Sequence, residues 1–91
     1  MLEPKLSNRF KKNYVLMEKR GYDMTLIDDV IEILLAEKPL PPERRDHPLR
    51  GNLKGFRECH ILPDWLLIYK KDGINLILYL ERTGSHADLL E

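Results

Sequence analysis

Residues 55–81 read GFRECHILPDWLLIYKKDGINLILYLE, and through this stretch apolar residues recur at a period near 2 while β-branched and aromatic side chains accumulate. The pattern predicts three strands, at Gly55 to Leu62, Trp65 to Lys70 and Ile74 to Glu81. Pro63-Asp64 and Lys71-Asp72-Gly73 separate them, and both are good turn chemistry, so an antiparallel meander is expected. Along the first strand Phe56, Glu58 and His60 share one face, and Arg57, Cys59 and Ile61 share the other.

Toward the N-terminus the period lengthens to that of a helix. Ser7 is placed to cap a helix from Asn8 to Arg20, in which Phe10, Tyr14 and Met17 recur at helical spacing, and Gly21 offers a left-handed stop. A second helix is expected from about Asp23 to Thr25 through Glu37, with Leu26, Val30, Ile31, Leu34 and Leu35 as its apolar stripe, ended by Pro39, Pro41 and Pro42. Leu2 to Leu6 offers an edge strand, because Pro4 is tolerated only at a periphery. Arg82-Thr83-Gly84 is read as leaving the sheet, and Ser85 with Asp88 three residues later resembles a capping box for a last short turn, Ala87 to Leu90. The expected fold class is α+β: two N-terminal helices packed on one face of a small twisted antiparallel sheet, the other face left open.

Ninety-one residues, 43% of them apolar and 33% charged, suffice for one domain spanning residues 1–91 and not for two cores. No stretch approaches the roughly 18 to 20 apolar residues of a membrane span, and no secretory leader is evident, so a cytoplasmic protein is expected. The single cysteine, Cys59, excludes an internal disulfide. Fifteen acids cancel fifteen bases, which argues against nonspecific coating of nucleic acid. The distribution is uneven: residues 1–20 carry six Lys/Arg against two acids. Lys5, Arg9, Lys11, Lys12, Lys19 and Arg20 therefore remain a candidate patch for RNA phosphates.

Chemistry-bearing residues concentrate in the second half. His47, His60 and His86 lie in three different segments that antiparallel strands can bring together. For each taken singly, a surface or structural role is the more common one. Asp64 suits a turn, Trp65 suits packing, and an arginine such as Arg82 at a strand end is usually solvated, although its planar guanidinium also suits a bidentate grip on phosphate. No His-x3-His, His-Glu-x-x-His or Cys-x-x-Cys pair occurs, and no glycine-rich phosphate loop, so neither a metal nor a cofactor is expected. Cys59 alternates with His60 onto the opposite face and is not expected to act as a nucleophile.

Four ordered blocks make the pattern specific: Asp46-His47-Pro48-Leu49-Arg50-Gly51, Lys54 to His60, Pro63 to Tyr69, and Glu81-Arg82-Thr83-Gly84-Ser85-His86. Together they closely resemble the YafQ branch of the RelE-like toxins, over about the last half of the chain, with two preceding helices as that family has. The resemblance implies a type II toxin: an endoribonuclease that depends on the ribosome, cleaves mRNA in the 30S decoding site, and is neutralised by a cognate antitoxin through which alone operator DNA is contacted. By the same resemblance His47, His60, Asp64 and His86 match catalytic residues, Arg82 a phosphate-contacting arginine and Trp65 an active-site aromatic. The family pattern closes with an aromatic residue, and Leu90 stands at that place here.

Elementary chemistry agrees with that assignment. Cutting RNA with its own 2′-hydroxyl requires a base for that proton, an acid for the departing 5′-oxygen and positive charge for the phosphate. Imidazoles, with an ordinary pKa of about 6.5, serve as either acid or base without a metal. His60 or His47 is expected as base, His86 as acid, Asp64 as a group that orients a histidine or itself takes part in proton transfer, and Arg82 as the phosphate partner. A noncatalytic module of the same fold, acting only through an antitoxin complex, is the alternative.

Overall fold

The computed structural model describes residues 1–89 and shows three helices on a five-stranded sheet. In chain order the elements are β1 (Glu3–Leu6), α1 (Asn8–Lys19), α2 (Met24–Leu35), β2 (His47–Pro48), β3 (Arg57–Leu62), β4 (Trp65–Asp72), β5 (Ile77–Gly84) and α3 (His86–Leu89). The strand order is β1-β5-β4-β3-β2. The meander β3-β4-β5 is antiparallel as expected, but the sheet is mixed, because β1 lies parallel to β5 at its edge. The two-residue strand β2, paired with β3, extends the opposite edge.

Local chemistry sets the helix ends. The Ser7 hydroxyl accepts from the Phe10 N–H and donates to the Glu81 carbonyl, so one side chain both starts α1 and ties it to β5. At the far end Gly21 has φ +89, with Gly21 N–H on the Glu18 carbonyl and Tyr22 N–H on the Met17 carbonyl, the paired bonds of a Schellman cap. Asp23 caps α2 through the Thr25 N–H. That helix stops at Leu35, two residues short of the expected Glu37. Glu37 takes a left-handed φ of 58 while Lys38 N–H reaches back to the Ile33 carbonyl, and Pro39 disfavours a helical Lys38.

One face of the sheet packs against both helices. Phe10 and Met17 of α1, and Ile27, Val30, Leu34 and Leu35 of α2, join Cys59, Ile61, Trp65, Leu67, Tyr69, Leu78 and Leu80 in a single core. Ile27 takes a fully buried place in α2, whereas Leu26 and Ile31 only flank the core. Within it the Trp65 Nε1–H donates to the Thr83 Oγ1 at 2.9 Å, and the Thr83 hydroxyl donates to the Leu66 carbonyl at 2.7 Å.

The third strand departs from the reading of the sequence by three residues. Asp72 Oδ1 accepts from the N–H groups of Ile74 and Asn75, and Leu76 adopts a left-handed φ of 57, so the turn runs to Leu76. Ile74, read as a strand residue, is 94% exposed. Arg82-Thr83-Gly84 does not leave the sheet: these residues pair with Ile68, Leu67 and Leu66. Between Leu80, opposite Tyr69, and Arg82, opposite Ile68, Glu81 is an extra residue, and this bulge reverses the alternation of faces along β5. Thr83 consequently enters the core, and Arg82 stands with Ile68 on the open face.

Replacing Thr83 with Val strips the buried indole N–H of its acceptor. We expect Thr83→Val to lower unfolding free energy by about 1–3 kcal/mol, and Thr83→Ser to cost less, read from midpoints of denaturant unfolding.

Candidate functional site

The open face carries a polar cluster built by β2, β3, the β3–β4 turn, β5 and α3. Two cross-strand rows define it, since residues directly opposite one another share a face. In one row His47 lies opposite Glu58, Glu58 opposite Ile68, and Ile68 opposite Arg82. In the next row His60 lies opposite Leu66, and Leu66 opposite Gly84. Leu66 and Ile68 are buried, yet they belong to this face and not to the main core.

Asp64 occupies the two-residue Pro63-Asp64 turn, where turn formation alone would explain it. It does more than form the turn. Its Oδ1 accepts from the backbone N–H of His86 at 2.9 Å and from His86 Nδ1 at 2.6 Å. Those bonds, the backbone one foremost, hold its carboxyl below the usual carboxylate range. An ionised carboxylate only accepts, so the proton on Nδ1 is fixed and Nε2 is the nitrogen left for other chemistry.

The chain around His86 is secured from three sides. Ser85 and Asp88 form the expected capping box, Ser85 N–H donating to Asp88 Oδ2 and Asp88 N–H to Ser85 Oγ. Arg20 at the end of α1 grips both oxygens of Asp88 at 2.8 and 3.3 Å, and the arginine's hydrogen bond is the main reason that carboxyl is held far below its ordinary range. Gly84 leaves no room for a side chain, because a Cβ there would stand 2.9 Å from Asp88 Cβ.

These supports bring the His86 ring to 5.8 Å from that of His60, centroid to centroid. The partly buried His60 ring keeps Nδ1 out of solvent without a hydrogen-bond partner. Burial, with lesser contributions from Arg45, His86 and His47, lowers its pKa, and Glu58 opposes the shift. A neutral ring is suited to taking a proton, and with Nδ1 out of solvent that role falls to the other ring nitrogen. His47 stands one row away. Its Nδ1 is 2.8 Å from the Arg45 carbonyl and its Nε2 is 3.5 Å from Glu58 Oε1, so both nitrogens face oxygens of the protein. Asp46 fixes the loop beside it by accepting from the buried Tyr69 hydroxyl at 2.5 Å and from Arg57.

Arg82 rests against Asn13 Oδ1 and the Asp88 carbonyl, each at 3.4 Å, with no carboxylate partner among the described residues. Its guanidinium is therefore available to an anion. Trp65 is a correction. It is 0% exposed, set edge-on to Tyr22 at 5.0 Å on the helix-covered face, and offers no surface for stacking on a substrate. Leu90 lies outside the described residues. Cys59 is sealed in the core, where burial pushes its thiol up to about 12, as befits an inert group.

Reading the sequence passed over Glu58, Arg44 and Arg45. A hollow of about 510 Å³ lined by Glu43, Arg44, Arg45, His60, Ile61, Leu62 and Pro63 opens beside the imidazoles, within the size range of small-ligand sites. The alternation of Glu58 with His60, and the Arg44-Arg45 pair just before Asp46-His47, were the available signals. Among the described residues no three His, Cys, Asp or Glu side chains are grouped to hold a metal ion, and no helix is long and apolar enough to cross a membrane.

The electrostatics give a measurable expectation. In an NMR pH titration the His60 ring should titrate below 6.5, the ordinary histidine value. Glu58 is the neighbour that favours its protonated form, so Glu58→Gln should move the midpoint further down. An upward move would contradict the geometry.

Comparison with known proteins identifies relatives of the whole chain. The profile of the family described as "Bacterial toxin of type II toxin-antitoxin system, YafQ" matches residues 2–91. The mRNA interferase toxin YafQ of Escherichia coli K12 is 42% identical over 84 residues, covering 91% of this chain and 89% of that protein. The crystal structure of the E. coli DinJ-YafQ complex contains a chain that superposes with a TM-score of 0.91 at 38% identity over 100% of both chains. A metal-bound toxin from Helicobacter pylori superposes with a TM-score of 0.92 at 44% identity, over 98% of this chain and 99% of that one.

Proposed function

The chain belongs to the YafQ family of type II toxins, and from that premise we propose that it is an mRNA-cleaving endoribonuclease, ribosome-dependent and working by metal-independent acid-base catalysis. The observation that carries this reading is the close approach of His60 and His86 on an open face, the first with its pKa lowered by burial and the second oriented by Asp64.

In the proposed reaction neutral His60 takes the proton from the ribose 2′-hydroxyl, and the freed oxygen attacks the adjacent phosphorus. The bond to the 5′-oxygen breaks as His86, through Nε2, supplies a proton to it. The products are a 2′,3′-cyclic phosphate and a 5′-hydroxyl end. Arg82 stabilises the charge that builds on the phosphate, and a guanidinium with no carboxylate partner in the described structure suits that task. His47, across Glu58 from Arg82 in the same row, is assigned to holding the substrate at this site. Metal independence in this reading rests on the imidazoles' capacity to serve as both acid and base.

The ribosome dependence in this reading is supported by how little of the site is enclosed. The side chains of His47 and His86 are each 47% exposed and that of Asp64 is 70% exposed, a surface on which an external scaffold would help to align RNA for in-line attack. The partner is proposed to be a cognate antitoxin, as DinJ is for the E. coli protein in its complex. On α1 Val15 and Leu16 are 46% and 43% exposed among Lys11, Lys12 and Lys19, a surface complementary to an acidic amphipathic segment. Operator DNA is reached, in this reading, only through that partner.

Expression without antitoxin should arrest growth, and primer extension on a translated reporter should show new message ends. His60→Ala and His86→Ala should each lower cleavage by about 10²–10⁴-fold while remaining folded and able to bind antitoxin. Undiminished cleavage by both, and by His47→Ala, would remove the histidine mechanism. Intact messages at high levels of folded wild-type protein would favour the noncatalytic module. Equal cutting of the message with and without ribosomes would remove the ribosome dependence.

A further inference from the structure

Beyond the imidazole cluster the open face carries a second ordered row. Phe56, Lys70, Tyr79 and Lys5 follow one another across the sheet, from the approach to β3, then β4, β5 and β1. Lys70 Nζ lies 5.7 Å from the Phe56 ring centroid and 5.8 Å from that of Tyr79, and Lys5 Nζ lies 5.8 Å from the Tyr79 centroid. Aromatic ring and ammonium thus alternate along the row, and none of its four side chains is acidic.

The row shares a face with the candidate site. Lys70 alternates with Ile68 and Leu66 along β4, Phe56 alternates with Glu58 and His60, and Tyr79 and Lys5 are successive cross-strand partners of Lys70. It stands two residues along the strand from the row of Glu58 and Arg82, and four from that of His60, or about 7 and 13 Å. A polynucleotide whose phosphate is held at Arg82 and His86 therefore passes within reach of it.

The geometry points to a single-stranded RNA subsite: we propose that this row binds the nucleotides adjoining the scissile phosphate, an inference that rests on the RNA-cutting reading above. Every base has a stacking face, so rings at this spacing bind without demanding a sequence, and flanking ammonium groups meet the phosphates. In the free protein the exposed lysine heads lie over the rings. An entering base takes the ring face, and the flexible lysine turns its charge to the neighbouring phosphate. Lysine serves this exchange better than arginine, whose planar head stacks on the ring itself.

The test pairs a protein change with a substrate change. Ribosomes are programmed with messages carrying an abasic ribonucleotide at each position flanking the cut in turn, and cleavage by wild type is compared with that by Tyr79→Leu and Lys70→Gln. For wild type, one or two flanking abasic positions should raise KM roughly five- to tenfold with kcat little changed. Tyr79→Leu should raise KM on the intact message by a similar factor and lose the sensitivity to the abasic position. Circular dichroism and melting of both variants check that the fold is kept. Wild-type KM in the variants, or an abasic penalty equal in wild type and variant, would overturn the subsite. So would a loss of antitoxin affinity with abasic sensitivity intact, which would mark the row as a protein-docking surface. If wild-type protein leaves every message whole, the RNA-cutting reading itself falls, and the subsite with it.

Discussion

One extra residue in β5 decides which face of the sheet the last part of the chain can use. Upstream of Glu81, Leu78 and Leu80 point into the core, and strict alternation would send Arg82 after them. A guanidinium there, among Leu67, Trp65 and Tyr69, would have to be desolvated without a counter-charge, at a cost of several kcal/mol. The bulge instead puts Thr83 in that place, where a small hydroxyl meets the Trp65 indole and the Leu66 carbonyl, and turns Arg82 outward beside Ile68. Ser7 reinforces the irregularity by donating to the Glu81 carbonyl, so the N-terminus of α1 and the bulge are secured together.

From that point the geometry propagates to His86. Gly84 ends β5 with no side chain, which lets the capping box of Ser85 and Asp88 close against it, and Arg20 clamps Asp88 from α1. A four-residue helix has little stability of its own, since nucleation costs more than so few hydrogen bonds return. The position of His86 is therefore set by Arg20, Asp88 and Asp64, three charged side chains from separate parts of the chain. The site is distributed in sequence because each ring is held by a different element.

What the sequence made legible follows the range of the interactions involved. The Ser7 cap, the stop at Gly21 and the Ser85-Asp88 box act over a few residues, and all three were readable from local chemistry. The meander was readable too, because turn residues separate its strands. The late start of β5 depends on Asp72 capturing two N–H groups and on a left-handed Leu76, a conformation that nothing in an apolar Ile74-Asn75-Leu76 run announces. Trp65, given an active-site role by the resemblance alone, packs in the core as its residue type suggested. Trp65 through Tyr69 is apolar at every position, so its alternation shows two faces without telling which is covered, and the helices settle that only in three dimensions. The convergence of His60, Asp64 and His86 was legible through the resemblance and not through spacing.

Charge explains why so much rests on local geometry. With a formal net charge of zero the chain exerts little long-range attraction on RNA, so recognition has to come from groups that act at contact distance. The open face supplies them: an arginine without a carboxylate partner in the described structure, two imidazoles 5.8 Å apart, and lysines resting on aromatic rings. Of these groups only His60 carries a buried atom without a partner, its Nδ1, at a cost of about 1–3 kcal/mol. Those groups share the face that the helices leave uncovered, so a chain with no net charge to attract RNA from a distance still offers contact chemistry on one side.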